Sequence, residues 1–214
     1  MLYRRYTSLV MTAVLVIITF TEAVMSQTET PKYKVVSSDE NTEVRLYEPM
    51  IVAEVDIDGA RRNASRSGFR VLADYIFGNN TIQQQVAMTT PVQSQRSQKI
   101  AMTSPVQQQA DDDGWVISFI MPAQFTLQSL PTPNNELVRL REVPEQRFIV
   151  IRFSGMNDDE NVSNHEQELR EYIAEHDIET TGITKYAFYD PPWTPENRRR
   201  NEVMISMNWA GDQK

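Results

Sequence analysis

IVAEVDI at Ile51–Ile57 leads within a few residues into NASRSGFRVLADYIF at Asn63–Phe77, and the order of these two segments decides the fold. In the first, Val52, Glu54 and Asp56 alternate with Ile51, Ala53, Val55 and Ile57, the two-residue period of a strand. In the second, Phe69, Leu72, Ala73 and Ile76 fall at i, i+3, i+4 and i+7, the stripe of an amphipathic helix. Arg62, Arg66, Arg70 and Asp74 lie elsewhere on that wheel, and Gly78-Asn79 supplies a stop that tolerates left-handed backbone.

The same order returns further along the chain. Phe148–Ser154 reads as a strand with Ile149, Ile151 and Phe153 on one face, Gly155–Val162 as a polar loop, and Asn164–His176 as a second helix. The stripe of that helix is Leu169, Tyr172 and Ile173, and Gly182 marks its far side. Around these pairs, Tyr33–Val36 and Glu43–Tyr47 read as strands joined by Ser37–Thr42, with Pro49 as a break. VAMTTPV at Val86–Val92 and IAMTSPV at Ile100–Val106 read as two short paired strands joined by Gln93–Lys99, each limited by its proline. Trp115–Met121, Tyr186–Tyr189 and Val203–Asn208 complete the set of strands.

Strand, helix, strands therefore occurs twice, as a repeat of pattern and not of residue identity. The predicted class is α+β: a distorted antiparallel β-barrel from two pseudo-repeated halves, flanked by two α-helices packed outside it. A doubly wound parallel sheet needs more crossover helices than this chain offers.

The ends and the composition bound the function. Arg4 and Arg5 precede an uncharged stretch, Tyr6–Thr21, whose apolar centre at Ser8–Phe20 has signal-peptide length, with small residues at Ala23 and Ser26. Residues 1–26 are thus expected to be a signal peptide or an N-terminal anchor, 27–32 a linker, 33–209 a single domain and 210–214 a tail. The protein is expected to be exported, periplasmic or secreted, without stable membrane insertion once the signal is cleaved, since a bilayer span needs roughly 20 apolar residues. Arg4-Arg5 also raises the twin-arginine route, although YTSL after the pair matches it poorly. The chain has no cysteine, which excludes disulfides, thiolate metal sites and thiol nucleophiles. A core must hold it, and its length suffices to bury roughly 70% of the unfolded surface. The formal net charge of −8 argues against nucleic acid as a partner. Asn63, Asn79 and Asn161 each open an Asn-x-Ser/Thr sequon.

Several segments in order carry a family resemblance: KIAMTSPV (99–106), WVISFIMP (115–122), FTLQSLPTP (125–133), VRLREVP (138–144), RFSG (152–155) and YDPPWTPENRRRNEV (189–203). Together they resemble the SOUL haem-binding family across most of Tyr33–Met207. The resemblance implies the two-halved barrel and a hydrophobic cleft, formed by the first helix and nearby strands, that accepts haem or another tetrapyrrole. A similar barrel serves as the small-molecule effector domain of some bacterial regulators.

Some members of that family have been thought to use a histidine for iron. Here only His165 and His176 exist, both in the second helix. Eleven residues at ~1.5 Å rise separate them by roughly 16 Å, too far to share one iron. His165 is left as a single candidate axial ligand, against the plainer reading of a histidine at the helix start and of His176 as a C-terminal cap. The implied cofactor is non-covalent haem, captured mainly by apolar contact. Candidate contacts are Phe69, Leu72, Ala73, Tyr75 and Ile76 along the helix, with Met88, Met102 and Met121 in the family-like segments. Arg66 and Arg70 are candidates for the propionates at the rim. Each has an ordinary alternative as core filling or as a solvated helix charge.

Trp193 is expected to pack against the barrel end, and Arg198–Arg200 to pair with Glu196 and Glu202 or to meet an anionic partner. No Gly-rich phosphate loop, HExxH or nucleophile elbow is present, so a monomeric binder and not an enzyme is expected. The role would be that of an exported carrier, buffer or scavenger. The alternative is an effector-type barrel binding, or hydrolysing, other small hydrophobic molecules.

Overall fold

In the computed structural model, residues 28–82, 97–111 and 114–208 are described. Eleven strands and two helices follow in chain order: β1 (Tyr33–Asp39), β2 (Thr42–Tyr47), β3 (Met50–Asp58), α1 (Arg61–Phe77), β4 (Asn80–Thr81), β5 (Val106–Ala110), β6 (Gly114–Ile120), β7 (Thr132–Pro133), β8 (Arg139–Val143), β9 (Gln146–Phe153), α2 (Asp159–Glu175), β10 (Thr180–Phe188) and β11 (Asn201–Met207). Nine strands form one curled antiparallel sheet in the order β1-β2-β9-β11-β10-β5-β6-β3-β8, and β4 pairs with β7 apart from it.

From β2 to β8 that order reads the same from either end. Each half contributes a leading strand (β2 or β8), a second strand (β3 or β9), a helix, and two more strands (β5 and β6, or β10 and β11). The halves meet at β5 against β10, and the leading strand of each pairs with the second strand of the other: β2 with β9, β8 with β3. The repeat visible in the sequence is therefore a two-fold exchange of strands between halves. Both helices are 17 residues long.

Both helices lie on the convex face. Leu72, Tyr75 and Ile76 of α1 pack on Ala53, Val55, Ile117 and Phe119, while Val162 and Leu169 of α2 pack on Ile149, Ile151, Val203 and Ile205. These two apolar layers supply most of the folding drive, at about 25 cal/mol per Å² of apolar surface removed from water. Gly68 permits α1 to approach β6, because a Cβ there would lie 2.6 Å from Ile117 Cγ1. Gly78, at φ 123°, caps α1 with its N–H on the carbonyls of the last turn. Among the described residues no helix is long and apolar enough to cross a membrane.

Several expectations are corrected. The second helix begins at Asp159, not Asn164; Asp158 caps it by accepting the Asn161 N–H, and Asp159 and Glu160 complement the dipole. A run of polar residues that reads as loop is thus a capped first turn. Gly182, at φ 79°, sits inside β10 where the register shifts, so that strand starts at Thr180 and not at Tyr186. Ile100–Val106 is not a strand: only Val106 enters one, and Ile100 donates its N–H to Ile76 O at the end of α1. Val86–Val92 lies outside the described residues, as do residues 1–26, read as a signal peptide or anchor, and the stretch 210–214 read as a tail. The stretch read as a linker is pinned from Glu29 onward, where Glu29 bridges Thr103 and its carbonyl accepts the Ser104 N–H at 2.9 Å.

Candidate functional site

The structure brings few of the sequence-derived candidates together. Leu72, Tyr75 and Ile76 are wholly buried in the core under α1, with Ala73 beside them. Tyr75 donates its hydroxyl to Pro131 O at 2.9 Å, and burial pushes its titration up. Tyr75 is a member of the core cluster under α1. Phe69 lies at the edge of the stripe, half exposed, with its ring edge-on to Phe119 at 5.3 Å. Arg66 and Arg70 face solvent on the far side of α1. Met102 is 40% exposed, Met121 is buried, and Met88 lies outside the described residues. Among the described residues, Leu72, Tyr75 and Ile76 of the α1 stripe pack into the core.

A groove of about 670 Å³ opens elsewhere, at one end of the sheet. This volume lies within the ~300–1,000 Å³ usual for small-molecule sites. Its walls come from the stretch before β1, the β2–β3 turn, the chain after β6 and the end of β8. Met50, Ile51, Ile120, Met121, Phe125 and Val143 give it an apolar lining. Pro31, Pro49, Pro122 and Pro144 line it, and their fixed φ stiffens the chain around it. Backbone bonds lock these pieces: Met121 N–H to Ile51 O at 2.8 Å and Glu48 N–H to Lys32 O at 3.0 Å. Glu29 accepts the Ala123 N–H at 2.9 Å, and Thr103 donates its hydroxyl to Ile120 O. The rim carries Glu29, Glu48 and Glu142 against Lys32, an acidic balance. Of the sequence-derived candidates among the described residues, only Met121 belongs to this lining. The remainder was hidden because strand pairing, not sequence proximity, assembles it; the signal that could have found it was four prolines beside strand ends.

Met50 and Val143 also border a second, inner chamber of about 100 Å³ on the concave face of the sheet. Lys185 of β10 enters it. Its Nζ donates to Gln146 Oε1 at 3.3 Å and lies 5.2 Å from the centroid of the Phe148 ring. Burial, with the Arg141 cation nearby, pushes the ammonium down to about 8. Glu54 at the same chamber is buried and held by Arg141, with Nη2 to Oε2 at 2.9 Å, and by Arg139. The Arg139 guanidinium also clasps Asp56 and holds that carboxyl below its usual range.

At the other end of the concave face, Glu202 is 0% exposed and accepts from Arg45 Nη1 at 3.0 Å, Tyr189 Oη at 2.8 Å and Arg200 Nε at 2.9 Å. One arginine of the basic run is thus paired as expected. Arg199 instead donates to the carbonyls of Pro192 and Thr194. Trp193 does not pack on the barrel: it is 84% exposed at the tip of the turn that Arg199 braces.

Both histidines belong to α2, on the convex face. His165 stacks on Phe153 with centroids 4.1 Å apart, and its Nδ1 donates to Asn161 O at 2.8 Å, which leaves Nε2 as the free lone pair. It lies in the second turn of the longer helix and not at its start. His176 caps the helix C-terminus and stacks on Tyr172. Neither borders the groove. Among the described residues no group of three or more His, Asp or Glu is placed to hold a metal ion.

A family model described as SOUL heme-binding protein matches residues 28–206. No curated protein matches the chain in sequence. Among solved structures, the C-terminal domain of EcmrR is similar at 10% identity and TM-score 0.55, over 81% of this chain and 96% of that one. EcmrR bound to DNA is similar at 9% identity and TM-score 0.53, over 78% and 57%. A hydrolase from Listeria innocua aligns at 11% identity and TM-score 0.49, over 79% and 93%. At these identities the likeness to the two EcmrR structures is one of fold.

Proposed function

The chain belongs to the SOUL heme-binding protein family, and from that premise we propose that it binds haem or a related tetrapyrrole non-covalently in the groove ending β3, β6 and β8. The observation that carries the reading is the apolar lining of a groove large enough for a macrocycle, with Met50, Ile120, Met121, Phe125 and Val143 as its surface. A porphyrin plate gains from such a wall through dispersion and released water. When bound, haem supplies a metal centre and a flat apolar face. The protein offers thioethers at Met50 and Met121 near it, and no imidazole. The reading is one of binding without turnover, as an exported carrier, buffer or scavenger; Arg4-Arg5 with the apolar stretch Ser8–Phe20 supports the export.

The rim favours a second reading. Glu29, Glu48 and Glu142 outnumber Lys32, so the edge of the groove repels a dicarboxylate and attracts a cation. Under this alternative the groove takes apolar molecules of positive charge. Titrating the full chain with hemin, iron-free protoporphyrin and a hydrophobic cation, read by absorbance and Trp fluorescence, separates the two. Porphyrin binding at micromolar concentration that weakens at least tenfold in Met121→Asp supports the first. Binding of the cation alone supports the second, and binding of none sinks both.

A further inference from the structure

Lys185 is a largely buried cation without a carboxylate. Among the described residues its contacts are one amide oxygen, Gln146 Oε1, and the face of Phe148. Buried charges are ordinarily paired, because desolvating an ion costs several kcal/mol unless an opposite charge returns it. The charges facing Lys185 across the chamber are Arg141 and Glu54, and Glu54 is already engaged by both Arg139 and Arg141. With Asp56 taken by Arg139, the cluster of Arg139, Arg141 and Lys185 against Glu54 and Asp56 keeps one uncompensated positive charge beside empty space. That space, about 100 Å³, is several times the ~10–15 Å³ one water needs. Gln107 and Gln109 add amide groups to its wall.

We propose that this inner chamber is a carboxylate subsite, in which Lys185 and Arg141 hold the anion. The carboxylate comes from one of two sources: a small free acid, or an acidic arm of a ligand seated in the outer groove that passes the partition of Met50 and Val143. The second source rests on the groove reading above; the first does not. It also gives the acidic rim a physical sense, since an arm repelled by Glu48 and Glu142 is met by cations within.

The test compares the full chain with Lys185→Met and Lys185→Gln, the second keeping a polar head should the first fail to fold. Acetate at the ionic strength of a chloride control is expected to raise the melting temperature of the wild type by about 3 °C and of neither variant. Hemin and its dimethyl ester are then titrated side by side. Hemin binding at least tenfold tighter than the ester in the wild type, with the ratio lost in the variants, assigns the carboxylate to the groove ligand. A ratio of one with the acetate effect intact assigns it to a free acid. Loss of binding of both porphyrins defeats the groove reading and leaves the acetate measurement to decide. Equal acetate shifts in wild type and variants, with a hemin-to-ester ratio unchanged by them, mean a chamber that holds only water, and overturn the proposal.

Discussion

Arg61, the first residue of α1, donates from Nε to Oδ1 of Asp159, the first residue of α2, at 2.8 Å. The two helix starts of the pseudo-repeat are thereby clasped across 98 positions of sequence. The same guanidinium donates to Asn157 O at 2.8 Å and to Gln108 Oε1 at 3.3 Å, and lies 5.7 Å from the Phe188 ring. Its side chain is 8% exposed whereas that of Asp159 is 69% exposed, so the two ends of the pair are unequal. Arg61→Ala leaves the buried Gln108 Oε1 without this donor, empties the site of a buried side chain and is expected to cost about 2–4 kcal/mol. Asp159→Asn, at the screened end, should cost under about 1 kcal/mol. Urea unfolding of both variants checks this; equal losses would show that the ion pair, and not the burial of the arginine, matters.

Gly68 lies where α1 touches β6, and a methyl group there would meet Ile117 Cγ1 at 2.6 Å and Cβ at 2.7 Å. Ala gains about 1 kcal/mol over Gly in helix propensity, but Ile117 is fully buried and has no room to retreat. The steric cost wins, and Gly68→Ala is expected to destabilise by about 1–3 kcal/mol. Combining it with Ile117→Ala should cost less than the sum of the two single changes, since the second opens the space the first needs. Thermal unfolding of the three variants measures this coupling, and strict additivity would refute the clash.

The concave face makes a different prediction. Removing Glu202 strands Arg45, which is 2% exposed and shares that carboxylate with Tyr189 and Arg200. Glu202→Ala should cost about 3–5 kcal/mol, the loss typical of an orphaned buried charge. Glu202→Met with Arg45→Leu should recover part of it, because a buried pair is often replaceable by apolar bulk. Chemical denaturation of both decides; a double variant as weak as the single one would mean that the network also fixes the strand register.

These residues also show what could be read in advance. The helices and convex-face strands declare themselves because apolar residues recur there with period 3.6 or 2, as in Leu72 and Ile76 or Ile149 and Ile151. The concave face does not. β5 reads VQQQA, with Gln107 buried toward the concave side and Gln108 buried toward α1, so hydrophobic alternation is absent where a central strand runs. β8, RLREV, looks like a charged loop because its arginines serve Glu54 across the sheet. Nor is the groove legible: Pro31 and Pro144 lie far apart in sequence until β2 pairs β9 and β3 pairs β8. Trp193 misled for the opposite reason, an apolar side chain held outward by a turn that satisfies its own carbonyls through Arg199.

Lys185 fixes a pH dependence. Its ammonium titrates at about 8 in the fold against an ordinary 10.5, because burial and the Arg141 cation disfavour the charge. Below pH 8 folded and unfolded chains both hold the proton, and the full cost of burying it is present. As pH rises through 8 the folded chain releases the proton while the unfolded chain keeps it, so stability increases with pH. The gain approaches about 3 kcal/mol at most by pH 10. Above pH 10 Tyr47, Tyr75, Tyr186 and Tyr189 oppose it, since burial raises each and only the unfolded chain deprotonates there. Lys185→Met should flatten the rise between pH 8 and 9.5 and be the more stable protein at pH 7, measured in buffer free of carboxylates. A wild-type curve that is flat over that interval would place the ammonium in water.

His165 gives the sharpest test of how a tetrapyrrole would be held. Its ring is committed on one face to Phe153 and at Nδ1 to Asn161 O, so only Nε2 has a lone pair to offer. It sits on α2 over the convex layer formed with Val162 and Leu169, whereas the groove is built from the ends of β3, β6 and β8. His165→Ala should therefore remove a stacked pair and cost about 1 kcal/mol of stability. The position of the Soret band and the hemin affinity should stay within a factor of two. His176→Ala should be equally silent spectrally. In contrast, Met121→Asp, which places a charge against the apolar floor, should weaken hemin and iron-free porphyrin alike, because the new carboxylate meets the macrocycle face whether or not iron is present. A Soret shift abolished by His165→Ala would instead put the iron on α2 and remove the groove from consideration.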